Sequence, residues 1–115
     1  MERKTLDALK ASIKKWDKNS RTIRLDHLRS GSHECPLCLL FNIGNGTPCV
    51  GCPVYAKTGE TYCHETPYTA FGEAHDEAFY ANTIEKKREA MKDIRRLSKL
   101  EAEFLRSLLP ENASE

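Results

Sequence analysis

No apolar run in this chain of 115 residues approaches the roughly 20 residues a helix needs to cross a bilayer, which excludes a membrane-spanning role. An export signal is missing as well. The opening Met-Glu-Arg-Lys-Thr-Leu-Asp-Ala-Leu-Lys is charged and amphipathic, with no apolar h-region and no small-residue cleavage site. A cytoplasmic location is therefore expected, and the sequons Asn45-Gly-Thr47 and Asn112-Ala-Ser114 carry no meaning without export. A disulfide framework is disfavoured on the same ground, and the cysteine count of 5 is odd. No glycine-rich phosphate cradle, serine elbow or paired-carboxylate constellation is present, so no enzymatic activity is expected and no catalytic residue is assigned. Aromatic residues make up only 8% of the chain and hydrophobic residues 39%. A single small domain of that make-up buries a modest core, and a structural metal would add stability that the apolar residues lack.

What the chain does have is a pattern of cysteines. Cys35-Pro-Leu-Cys38 and Cys49-Val-Gly-Cys52 are two C-x2-C pairs separated by ten residues, and Cys63 follows after ten more. Each pair can aim two thiolates at one ion, and the insert is long enough to return the second pair to the first. Cys35, Cys38, Cys49 and Cys52 are thus the expected ligands of a closed tetrahedral site. Four thiolates select Zn2+ or an iron-sulfur centre over hard cations, and Zn2+ is the expected ion. With four protein ligands no open position remains for water, which makes the metal structural. Backbone amides in the turns around Pro36, Gly51 and Pro53 can donate to the sulfurs and lower the charge the site must tolerate. Cys63 reads as a buried thiol or a substitute ligand with His64, and His33 as a loop residue. His27 and His75 have no evident partner. Asp76 and Glu77 read as acids in a helical first turn, where the helix dipole favours them.

The remaining organisation follows from periodicity. Leu6, Leu9, Ile13 and Trp16 form one stripe of an amphipathic helix over residues 1–19, with Thr5 as its expected N-cap. Residues 20–34 read as a linker. Residues 35–72 read as a zinc module, with Leu39, Leu40, Phe41 and Ile43 on the first arm of a β-hairpin and Gly44-Asn45-Gly46-Thr47-Pro48 at its tip. Val54-Tyr55 and the Tyr62 region read as further short strands or turns, with Lys57-Thr58-Gly59-Glu60 as another turn between them. A long helix is expected over 73–109, stopped by Pro110 ahead of a tail over 110–115. Its apolar positions are Ile84, Met91, Ile94, Leu97, Leu100, Phe104, Leu105 and Leu108. The expected fold is a small α-rich, metal-stabilised domain in which a zinc-ribbon or knuckle-like β-hairpin lies between an N-terminal helix and a long C-terminal helix. Surplus apolar surface on that long helix would be covered by the N-terminal helix or by a second copy.

The ordered string of Cys-Pro-Leu-Cys at 35–38, Cys-Val-Gly-Cys-Pro-Val at 49–54, Tyr62-Cys63, Thr66-Pro67-Tyr68 and Glu103-Phe104-Leu105-Arg106-Ser107-Leu108-Leu109-Pro110 resembles a family of small uncharacterised bacteriophage and prophage proteins. The resemblance implies a protein acting inside a bacterial host cell, with a zinc site. It implies no activity.

Three functions compete at this level. A zinc-clipped protein-interaction or regulatory module, acting on a host or phage partner or on itself through the long helix, is the leading one. Nucleic-acid binding is second. The net charge is only +1, yet residues 85–99 carry seven bases, Lys86, Lys87, Arg88, Lys92, Arg95, Arg96 and Lys99, against three acids. Those acids, Glu85, Glu89 and Asp93, sit at helix-neighbour spacing, as they do on an ordinary solvated face. An iron-sulfur redox or sensor protein is third, since cluster cysteines often precede proline as Cys52 does.

Overall fold

The computed structural model describes residues 1–29, 35–41, 49, 51–59 and 66–111. The order is α1 (Arg3–Asn19), a 3-10 turn (Leu25–His27), α2 (Pro36–Phe41), α3 (Pro53–Thr58), α4 (Pro67–Phe79) and α5 (Ile84–Arg106). The long helix α5 packs on both α1 and α4, which meet each other through the ring of Trp16, and α2 joins them through α1.

Helix α1 forms where the apolar stripe required it. Leu9, Ile13 and Trp16 are all but completely buried, while Lys14 and Lys18 face solvent. It begins a turn earlier than the Thr5 cap implied: Glu2 is the N-cap, without a side-chain bond, and Thr5 is buried inside the helix. The indole of Trp16 sits at the centre of the core, edge-on to Phe71 at 4.8 Å and to Tyr68 at 5.8 Å. The Lys15 ammonium lies 4.4 Å from its ring centroid, a cation–π contact that lets the lysine stem cover the ring. The chain leaving α1 is tied back by Asn19, whose side chain is buried. Its amide donates to the Arg29 carbonyl at 2.8 Å and accepts from the Arg29 N–H at 3.1 Å. That reciprocal pair holds the segment containing the 3-10 turn and buries Leu28.

The expected β-hairpin between the helices is not what the chain forms. Among the described residues there is no strand, and the positions read as strand arms are helical: Leu39, Leu40 and Phe41 belong to α2, Val54 and Tyr55 to α3. The physical reason is proline placement. In Cys35-Pro36 and Cys52-Pro53 the proline stands at the first helical position, where its fixed φ suits a helix and its missing N–H is not needed. A short apolar run has no periodicity that separates strand from helix, so these start signals decide. Gly59 ends α3 in the left-handed conformation, φ 74°, donating its N–H to the Tyr55 carbonyl at 2.7 Å. Lys57 and Thr58, read as part of a turn, are the last residues of that helix. The expected hairpin tip at 44–48, Ile43 and Tyr62 lie outside the described residues.

The long helix expected over 73–109 is two helices. Helix α4 starts earlier, at Thr66-Pro67, where the Thr66 hydroxyl accepts from the Tyr68 N–H at 3.2 Å. It ends at Tyr80. Thr83 then caps α5 by accepting from the Lys86 N–H at 3.1 Å, a cap inside an otherwise helical pattern that starts a new helix. Asp76 and Glu77 consequently fall in the last turn of α4, not in a first turn, and the dipole there disfavours them. Most of the expected apolar face of α5 is used within the molecule. Met91, Ile94, Leu97 and Leu105 are buried under α1 and α4, whereas Ile84 is 70% and Leu100 40% exposed. Arg106 near its end ion-pairs with Asp17 of α1.

Candidate metal centre

Both pairs of cysteines are positioned by helix starts. Cys35 precedes Pro36 and its carbonyl accepts from the Leu39 N–H at 2.9 Å; Cys52 is the N-cap of α3 and its carbonyl accepts from the Ala56 N–H at 3.0 Å. Cys38 lies in the first turn of α2. Cys49 is held by two backbone bonds, donating its N–H to the Phe41 carbonyl at 3.1 Å and accepting from the Cys52 N–H at 3.0 Å. The second pair is therefore stitched directly to the end of α2. Its tight turn puts Cys49 at φ 67° and Gly51 at φ 90°. The left-handed backbone at 51 favours glycine, and a Cβ there would stand 3.1 Å from the Phe41 ring.

The sulfurs accept the backbone amides that turns of this type offer. Cys35 receives the backbone N–H of Cys38, and Cys52 those of Val54 and Tyr55. The Cys38 thiol donates to Cys35 as well. That bond, with Lys15 and Ser12 nearby, brings the Cys35 thiol down to about 5 against the opposing effect of burial. The Ser12 hydroxyl and the Cys35 sulfur are 3.8 Å apart. Burial pushes the Cys52 thiol up, and the neighbouring sulfurs of Cys49 and Cys35 add to that. Cys38, Cys49 and Cys52 also line one small enclosed void of about 10 Å³, walled by Leu37, Phe41 and Val54. All four expected ligands thus share one neighbourhood. They are not closed around a point: among the described residues no three His, Cys, Asp or Glu side chains are grouped tightly enough to hold a metal ion as they stand. Cys63, His64 and His33 lie outside the described residues. His27 is exposed on the 3-10 turn, and His75 is half-buried with its ring 6.2 Å from Phe71.

Sequence reasoning missed Glu101. Its side chain is only 1% exposed, on the buried face of α5 between Leu97 and Leu105. Desolvation raises its carboxyl to about 7, although the Thr66 hydroxyl and the Tyr68 N–H donate to it and Lys15 favours its charge; the Cys35 thiolate opposes that charge. Its Oε2 has no hydrogen-bond partner among the described residues. The signal was available, because Glu101 stands four residues after Leu97 and four before Leu105, a lone acid in the apolar stripe.

The bases expected to track a phosphate backbone are spread over α5. Lys86, Lys87, Arg88, Lys92, Arg96 and Lys99 are exposed, with Lys92 paired to Glu89 at 3.5 Å and Arg96 to Asp93 at 3.7 Å. No helix of the described residues is long and apolar enough to cross a membrane. Comparison of the chain with protein-family models, with curated proteins and with solved structures finds no match.

Proposed function

We propose that this chain is a non-catalytic zinc-binding protein of the bacterial cytoplasm, of phage origin, that presents a helical surface to a protein partner. The observation that carries the reading is the cysteine cluster, in which Cys35 and Cys52 each accept backbone N–H groups at a helix start while Cys38, Cys49 and Cys52 surround one void of about 10 Å³. That space is just enough for one group the size of a water molecule. Amide-to-sulfur bonds of this kind orient thiolates and spread their charge, which is what a site carrying four negative sulfurs around a dication requires. A thiol already brought to about 5 is deprotonated at neutral pH and is ready to ligate. The reading requires the thiol side chains to close on a common point. Zinc would then clip α2 and α3 together against α1 and leave the bundle free to display its outer faces.

Elemental analysis with an absorption spectrum, on protein purified without oxygen or chelator, tests this. One zinc per chain with no visible colour supports it. Iron with sulfide in a brown sample replaces it with the redox or sensor reading, and metal-free protein that takes up no zinc ends it. Nucleic-acid binding stands second, favoured by the exposed bases Lys86, Lys87, Arg88 and Lys99, which form no ion pair among the described residues. Its signature is an affinity for DNA or RNA that falls steeply with salt. The cysteine cluster brings little positive charge of its own, and Glu85, Glu89 and Asp93 dilute the field of α5.

A further inference from the structure

The turn between α4 and α5 carries apolar groups that the fold leaves uncovered. Phe79 is 63% exposed, Tyr80 77%, Ile84 70%, and Ile23 beside them 77%. The two rings pack edge to face with centroids 5.0 Å apart, so they form one projecting wedge. A soluble monomer tolerates single exposed apolar residues, but three within one helix-to-helix turn, with Ile23 lining the same groove as Phe79, mark a contact surface.

The two flanks of this wedge differ in charge. Phe79 faces a groove of about 590 Å³ formed by the Ile23–Asp26 segment, His75 and Lys87. Arg24 and Asp26 neutralise each other there at 2.9 Å, which leaves the Lys87 ammonium as the groove's charge without an ion pair among the described residues. Tyr80 faces a second groove, of about 640 Å³, containing Glu77, Glu85, Glu89 and Asp93 against the single base Lys86. Glu89 and Asp93 are engaged by Lys92 and Arg96, whereas Glu77 and Glu85 form no ion pair among the described residues. A positive groove and a negative groove thus flank one apolar wedge on a single chain.

We propose that this end of the molecule is a self-association surface whose occupant is a second copy of the chain. A two-fold axis near the wedge sets the Lys87 groove of each copy against the Glu77 and Glu85 groove of the other, because an isologous contact repeats every pairing twice. The apolar groups form the centre and the charges the rim, the usual arrangement of a specific interface. Four partly exposed rings contribute on the order of 400–700 Å². With Ile23, Ile84 and the groove walls, the contact reaches roughly the 1,000 Å² that separates specific association from casual contact. The inference does not depend on the metal reading, since no cysteine takes part.

Sedimentation or light scattering on the full zinc-supplemented chain, from low micromolar to near-millimolar concentration, reads the association directly. A dimer is expected, weakened by about tenfold or more in Lys87→Glu and in Glu85→Lys and abolished in Phe79→Asp, with the far-UV spectrum unchanged because all three side chains are exposed. An equimolar mixture of Lys87→Glu and Glu85→Lys sets opposite charges against each other at both rims and re-forms a heterodimer. A monomer throughout the range overturns the proposal and leaves the wedge to a different protein. A dimer that survives Phe79→Asp, or single charge reversals that the mixture does not rescue, overturns it as well.

Discussion

Replacing Glu101 by Gln should change how the stability of this protein depends on pH. The folded carboxyl titrates near 7 against an ordinary 4.5, chiefly because burial removes its water. Between those values the folded protein holds a proton that the unfolded chain has lost. The favourable contribution is complete below about pH 4.5 and disappears as pH rises through 7. Carried through linkage, it is worth roughly 3 kcal/mol at about 1.4 kcal/mol per tenfold change. Cys35 works in the opposite direction. Its folded thiol lies near 5 against an ordinary 9.0, so its contribution is present above pH 9 and lost as pH falls through 5. The two slopes oppose each other between pH 5 and 7, and the wild-type curve alone reveals neither. The difference between Glu101→Gln and wild type isolates the carboxyl. Urea denaturation of both proteins, metal-free and reduced, followed by the fluorescence of the single tryptophan, should show the variant gaining about 3 kcal/mol relative to wild type between pH 4.5 and 8. The amide places an N–H2 where Oε2 has no partner, a cost of about 1–3 kcal/mol that does not vary with pH and shifts only the baseline. A stability difference independent of pH would refute the argument, because it would mean that the carboxyl titrates at its ordinary value and that burial does not govern it.

Further outcomes are expected at other sites. Cys38→Ser or Cys49→Ser should lose the metal and unfold the α2–α3 segment, while Cys63→Ser keeps the metal, as read by zinc content; release of the ion by Cys63→Ser alone would show a different ligand set. Gly51→Ala combines a left-handed φ of 90° with the Phe41 ring 3.1 Å from the new methyl, and should cost about 1–3 kcal/mol in a urea melt. An unchanged midpoint would show that the turn relaxes freely. Asn19→Ala removes both bonds to Arg29 and should cost about 1–3 kcal/mol while exposing residues 21–29 to protease. Ile94→Ala, at 0% exposure, should cost about 2–5 kcal/mol.

The long-range helices were legible because their apolar residues recur at helical spacing over several turns. Leu9, Ile13 and Trp16 on α1 and Met91, Ile94 and Leu97 on α5 needed no tertiary information. What failed was punctuation. Thr83 interrupts a continuous helical pattern by a cap alone, with no glycine or proline, and Thr66-Pro67 opens α4 within what reads as a turn-rich module. The cysteine segment misled for a different reason. A C-x2-C pair says that two thiols lie in one turn, but it does not say whether that turn leads into a strand or a helix. Proline directly after Cys35 and Cys52 carried that information. Glu101 and its link to Thr66 and Cys35 join residues from three separate stretches of chain, which periodicity along one helix does not reveal.

That division between long and short helices also governs what metal removal should do. Helices α2 and α3 have 6 residues each, against 17, 13 and 23 in α1, α4 and α5. Helices this short do not persist alone, because nucleation costs more than one turn returns. Their order rests on the stitching of Cys49 to Phe41, on Leu37 and Val54 in the core, and, on the reading proposed above, on the ion. The core around Trp16, Phe71 and Ile94 is made chiefly by α1, α4 and α5, and Cys49 and Cys52 join it from beside α2 and α3. Chelation should therefore reduce far-UV helicity only slightly and leave Trp16 fluorescence native. Protease should begin to cut between residues 35 and 59. Helix content and Trp16 burial collapsing together on chelation would contradict this, and would show that the bundle is closed by the cysteine module and not merely decorated by it.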